Sequence, residues 1–150
     1  MAYYGATEAL ARAKGAEFQV VYVDTVDDLE PAFGAMARQR VEAVLVDNFG
    51  FFGVHAARIA ERAIRYRLAT VGEGRASANA GLLMTYGVDF SDLWRRAAAY
   101  VDKVLKGASL ADLPIEQPNR FELFINLKTA KALGIRTPQS PLVRADEVIE

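Results

Sequence analysis

One histidine, no cysteine and a scatter of carboxylates set the chemical repertoire of this chain. His55 follows a glycine at the start of a helix-like stretch. A Ser-His-Asp arrangement would have to use it, since a serine nucleophile needs an adjacent base. No serine sits in the G-x-S-x-G turn that would project such a nucleophile, so His55 reads first as a solvated or hydrogen-bonded helix residue. A G-x-x-x-x-G-K-[ST] phosphate loop is absent, and Gly72 and Gly74 fail the dinucleotide pattern because Ser77 stands where its third glycine belongs. Asp47, Glu73 and Asp89 each stand where a loop follows a strand-like run. Converging, they would suit a cation or general acid–base work. Acting singly, they would cap the helices that follow. Without cysteine, disulfides and thiolate-ligated zinc or iron–sulfur centres are excluded, and no metal or cofactor is expected.

The elements that must position these residues are legible from periodicity. Residues 6–14 carry Ala9, Leu10 and Ala13 at helical spacing and stop at Gly15. Residues 18–23, rich in β-branched and aromatic side chains, read as a buried strand. Thr25 is placed to cap a helix with Asp27 and Asp28 in its first turn, and Leu29, Phe33, Met36 and Ala37 follow on one face. Strands are expected over 41–46, 68–71, 81–87 and 121–126. Helices are expected over 54–67, 76–80, 92–106 and 128–133. Residues 108–120 read as a loop, and the tail over 135–150, with Pro138 and Pro141, is expected to lie over the surface. Strands alternating with helices argue for right-handed crossovers and an α/β fold, a parallel three-layer α/β/α sheet in flavodoxin-like order. In such sheets ligands sit beyond the carboxyl ends of the strands, which here places Asp24 and Thr25, Asp47 to Phe52, Gly72 to Arg75 and Tyr86 to Asp89 around one region.

Composition bounds the partners. The 150 residues are 52% hydrophobic and 25% charged, with 18 basic against 19 acidic residues, as one self-stabilising globular domain requires. The near-zero net charge, and the absence of a basic stripe around Arg95 and Arg96, give no reason to expect nucleic acid or an anionic membrane surface. No apolar run approaches the ~20 residues of a bilayer span. The start, Met1-Ala2-Tyr3-Tyr4, has neither the basic nor the apolar region of an export signal.

Five stretches are similar to the C-terminal part of one family of ABC-transporter solute-binding proteins, the tryptophan/tyrosine-type substrate-binding proteins. They are GLLMTYG at 81–87, DLWRRAAAYVDKVLKG at 92–107, ADLPIEQP at 111–118, FELFINLKTAKALG at 121–134 and RADEVI at 144–149. Residues 41–67 fit the same family less sharply. The resemblance implies one lobe of a periplasmic-binding-protein-like clamshell, incomplete here, which closes on a small solute and delivers it to an ABC permease outside the cytoplasm. It further implies that 1–87 form units of the second lobe and that the chain crosses at 88–118 through a helix packed on the first lobe. Residues 119–134 would then return to the second lobe and 135–150 form a tail. A strand ahead of residue 6 and the first lobe would be missing. The helix, with Asp92 in its first turn and Lys106 in its last, would bare Leu93, Trp94, Ala97, Tyr100, Val101, Val104 and Leu105. A homo-oligomer is therefore expected.

By the same resemblance the solute meets this lobe at Asp47, Asn48, Phe49, Gly72, Glu73, Arg75 and Tyr86. An aromatic floor, a carboxylate for an ammonium group and an arginine for a carboxylate would suit an amino acid or aromatic acid. The alternative is a flavodoxin-like enzyme or regulatory subunit using Asp47, Glu73 and His55.

Overall fold

The computed structural model describes residues 4–150. Helix α1 (Gly5–Ala13) is laced by an Arg12–Glu8 ion pair at 3.0 Å. A 3-10 turn (Val26–Asp28) leads into α2 (Leu29–Arg38), and the Asp28 carboxylate accepts from both the backbone N–H and the hydroxyl of Thr25, each at 2.8 Å. There follow β1 (Ala43–Leu45), α3 (Gly50–Val54), α4 (Ala56–Tyr66), β2 (Ala69–Gly72), α5 (Arg75–Asn79) and β3 (Met84–Val88). The long α6 (Phe90–Leu105) and a 3-10 turn (Leu110–Asp112) precede β4 (Phe121–Asn126), α7 (Leu127–Leu133), α8 (Gln139–Arg144) and β5 (Glu147–Ile149).

The sheet runs β1-β2-β3-β4-β5, parallel at every pair except β3–β4. The α/β class is as expected, with one strand reversed. The backbone N–H of Asp89 donates to the carbonyl of Arg120 at 3.0 Å, so the excursion over 90–120 leaves and re-enters at one point. A chain that returns where it left must run back along the strand it came from.

Two expectations fail. Residues 18–23 are extended but form no strand: among the described residues, 17–23 make no backbone–backbone hydrogen bond. Val23 packs on the core, whereas Val20, Val21 and Tyr22 stay exposed, because β propensity produces a strand only where a neighbour completes the ladder. The tail does not merely lie over the surface. It folds as α8, with Pro141 tolerated in the first turn, and then as β5 on the free edge of β4, secured where the N–H of Leu123 reaches the Asp146 carboxylate at 2.8 Å.

The core sits between α2, α4 and one face of the sheet. Leu29, Phe33 and Met36 of α2 meet Ile59 and Ala63 of α4 and Leu68, with Val44 and Val46 packed against them. Strand alternation and the register put Val44, Thr70, Gly72, Thr85 and Phe124 on that covered face. The opposite face carries Leu45, Tyr86 and Phe121, all exposed. Helix α6 buries no residue. Tyr100 donates to the carbonyl of Pro114 at 2.6 Å and Arg96 holds Glu116 at 3.2 Å, while Trp94 and Leu105 are 72% and 82% exposed. Of the apolar ridge expected of this helix, Trp94, Ala97, Val101, Val104 and Leu105 are exposed, while Leu93 and Tyr100 are half-buried.

Candidate functional site

The turn after β1 carries Asp47, Asn48 and Phe49, and the turn after β2 carries Glu73. Parallel pairing of β1 with β2 brings these turns side by side, and the side-chain amide of Asn48 donates to the Glu73 carboxylate at 2.6 Å. Glu73 lies across β3: a methyl group on Gly87 would sit 3.1–3.2 Å from its Cβ, Cγ and Cδ, so only glycine leaves that carboxylate its place. Gly74, at φ +77°, turns the chain from Glu73 into α5. The Tyr4 hydroxyl donates to Asp47 at 2.7 Å. No cation pairs with Glu73 among the described residues.

Phe49 and Tyr86 line the same cavity as these polar groups. Phe49 is 68% exposed. Tyr86, on β3, stacks on Phe121 of the antiparallel β4, with centroids 5.8 Å apart and planes inclined by 18°. Asp47, Asn48, Phe49, Gly72, Glu73 and Tyr86 all line one cavity of about 1660 Å³ that runs along the outer edge of β1. Asp47, Asn48, Gly72 and Glu73 also wall a small recess of about 20 Å³.

Arg75 is not on that cavity's wall. Its guanidinium pairs with Glu147 of β5 and lies 4.8 Å from the ring centroid of Phe124. His55 sits at the joint of α3 and α4 with its ring edge-on to Phe51 at 4.7 Å, and it too stays off the wall. Asp47, Glu73 and His55 are therefore not brought together as an acid–base set. Asp89 is committed elsewhere: its carboxylate caps α6 through the N–H of Asp92 at 3.0 Å and pairs with Arg120 at 3.1 Å. Among the described residues no cluster of three or more potential ligands could hold a metal ion, and no helix is long and apolar enough to cross a membrane.

Sequence reasoning missed Tyr4 and Phe121. Nothing in the local pattern links Tyr4 to Asp47. Phe121 reaches Tyr86 only because β4 runs antiparallel, which depends on the closed excursion before it.

A family model described as ABC transporter substrate binding protein matches residues 5–149. No curated protein sequence matches the chain. Among solved structures, a conserved domain protein from Vibrio cholerae O1 biovar El Tor is similar over 98% of this chain and 49% of its own, at 19% identity and TM-score 0.86. An ABC domain in complex with L-Trp from Streptococcus pneumoniae is similar over 99% of this chain and 51% of its own, at 24% identity and TM-score 0.84. A substrate binding protein with adhesive properties from Clostridium difficile, in its ligand-free open form, is similar over 96% of this chain and 48% of its own, at 16% identity and TM-score 0.70. The chain spans about half the length of each, and the likeness shows a shared α/β fold.

Proposed function

The chain belongs to the ABC transporter substrate binding protein family, and from that premise we propose that it forms one wall of a solute cleft and takes a small solute, such as an amino acid or aromatic acid, for delivery to an ABC permease. The observation that carries the reading is the Asn48–Glu73 pair, a carboxylate with no cation partner among the described residues, which lines one cavity together with exposed Phe49 and Tyr86. A carboxylate poised beside flat apolar surfaces is complementary to an ammonium group on an aromatic or aliphatic body. The relative with L-Trp bound supports the same chemistry.

Asp47, Asn48, Phe49, Gly72, Glu73 and Tyr86 are the proposed contacts, and Arg75 joins them where a solute carboxylate displaces Glu147. In this reading the role is binding without catalysis at an extracytoplasmic location, which membership of the family supports. In this reading residues 1–87 and 119–134 are the lobe, 88–118 carry the crossover helix toward a first lobe, and 135–150 complete the sheet edge. The bare ridge of α6 supports self-association; a monomer in light scattering at micromolar concentration would remove that part alone.

Ligand-observed NMR of this chain against amino acids and aromatic carboxylates tests the reading. One wall buries only part of a solute, so affinity on the order of millimolar is expected. Tyr86→Ala and Glu73→Ala should each abolish the signal. Binding that survives both substitutions would refute the site.

A further inference from the structure

We propose that the recess of about 20 Å³ between the turns after β1 and β2 is a socket for an unsubstituted ammonium group, so that the solute is a primary amine and its N-methylated forms are refused. This rests on the cleft reading above and narrows it to a class of solute. The walls come from four elements: Asp47 and Glu73 from the two turns, Phe52 from α3 and Ser77 from α5.

Charge selects the occupant. Both carboxylates are half-buried, neither pairs with a cation among the described residues, and no lysine or arginine lines the recess. Each is engaged by a neutral group: Asn48 donates to Oε2 of Glu73 at 2.6 Å, and Tyr4 to Oδ2 of Asp47 at 2.7 Å. A carboxylate accepts at both oxygens, so each keeps capacity for a further donor, and the Ser77 hydroxyl adds a third acceptor. A water molecule would leave the two negative charges uncompensated, whereas an ammonium group brings a positive charge and three N–H donors. A metal ion is poorly served, since among the described residues no three His, Cys, Asp or Glu side chains gather as ligands.

Size selects its substituents. About 10–15 Å³ by the same measure admits one water, so the recess takes one group of that size with little to spare. An –NH3+ head is such a group, and every N-methyl adds a bulk close to that of another water. Gly72 keeps the room open: a methyl group there would stand 3.3 Å from Cδ2 of Leu82 and 3.8 Å from Cβ of Val46, both of them wall residues.

The test uses the full chain and a series in which the charge stays fixed while the nitrogen grows. L-tryptophan, L-tyrosine and L-leucine are each titrated by ligand-observed NMR beside their N-methyl and N,N,N-trimethyl derivatives and the matching acid without an amino group, indole-3-propionate for tryptophan. The first methyl should weaken binding ~10-fold or more, because it removes a donor to a charged acceptor and does not fit. The trimethyl form should bind no better than the acid without nitrogen. Gly72→Ala and Ser77→Val, which both fill the recess, should each cost L-tryptophan ~10-fold more than they cost indole-3-propionate, a difference that general loss of structure would not produce. Equal affinity across a methyl series, or indole-3-propionate binding as tightly as L-tryptophan, overturns the socket and leaves the cleft reading standing. Binding of none of these compounds overturns the cleft reading and the socket together.

Discussion

Thr70 of β2 and Thr85 of β3 are both fully buried on the covered face of the sheet, yet the same substitution should move stability in opposite directions at the two positions. The Thr70 hydroxyl accepts from the backbone N–H of Leu83 at 2.9 Å, tying the entry of β3 to β2. The Thr85 hydroxyl has no hydrogen-bond partner among the described residues. Thr70→Val deletes an acceptor and strands a donor, which costs about 1–3 kcal/mol. Thr85→Val replaces an unsatisfied hydroxyl with a methyl group of similar shape, between Gly72 and Phe124 in register, and should gain about 1–2 kcal/mol. At roughly 2–4 °C per kcal/mol for a domain of this size, Tm should fall by about 2–12 °C in the first variant and rise by about 2–8 °C in the second. Urea unfolding should show the same signs in the midpoint with an unchanged slope. Shifts of one sign in both variants, or a destabilised Thr85→Val, would refute the hydrogen-bond assignment on which the argument rests.

Gly87→Ala places a methyl group 3.1–3.2 Å from three carbons of Glu73, so the carboxylate must swing away from Asn48. NMR titration of an amino acid panel should show affinity reduced ~10-fold or more while the circular dichroism spectrum is unchanged. Glu147→Gln releases Arg75 from its ion pair; aromatic carboxylates should then bind several-fold more tightly by the same titration, with stability altered by less than ~1 kcal/mol because the pair is largely exposed. The Glu30 carboxyl is held below its ordinary 4.5 by the Tyr66 hydroxyl, at 2.8 Å, and by Arg65 and Arg62. A depressed folded value means that its stabilisation is complete above the unfolded pKa and is lost as pH falls through the folded one. Acid unfolding below about pH 4.5 should therefore be shallower in Tyr66→Phe than in the natural chain, as followed by fluorescence.

Most of the local structure was legible because it rests on local causes. The end of α7 at Leu133, the cap at Thr25, the Asp89 start of α6 and the apolar stripe of α2 are each set by residues within a turn or two, and each stands where the pattern put it. The resemblance carried the family and the bare ridge of α6. What failed was non-local. Residues 18–23 have a strand's composition but, among the described residues, no strand beside them, whereas residues 147–149, in a tail marked by two prolines, became one because β4 offered an edge.

The same division runs through the candidate site. Sequence alone determined that polar, aromatic and glycine residues gather at strand ends, since that follows from alternating strands and helices. Which of them meet was decided by tertiary structure. The parallel β1–β2 pair joins Asn48 to Glu73, the antiparallel return of β4 lays Phe121 under Tyr86, and the arrival of β5 draws Arg75 away to Glu147. Hydrogen-bonded register brings together residues that lie tens of positions apart in the chain, and helical or strand periodicity, which reports only on neighbours a few residues away, carries no record of it.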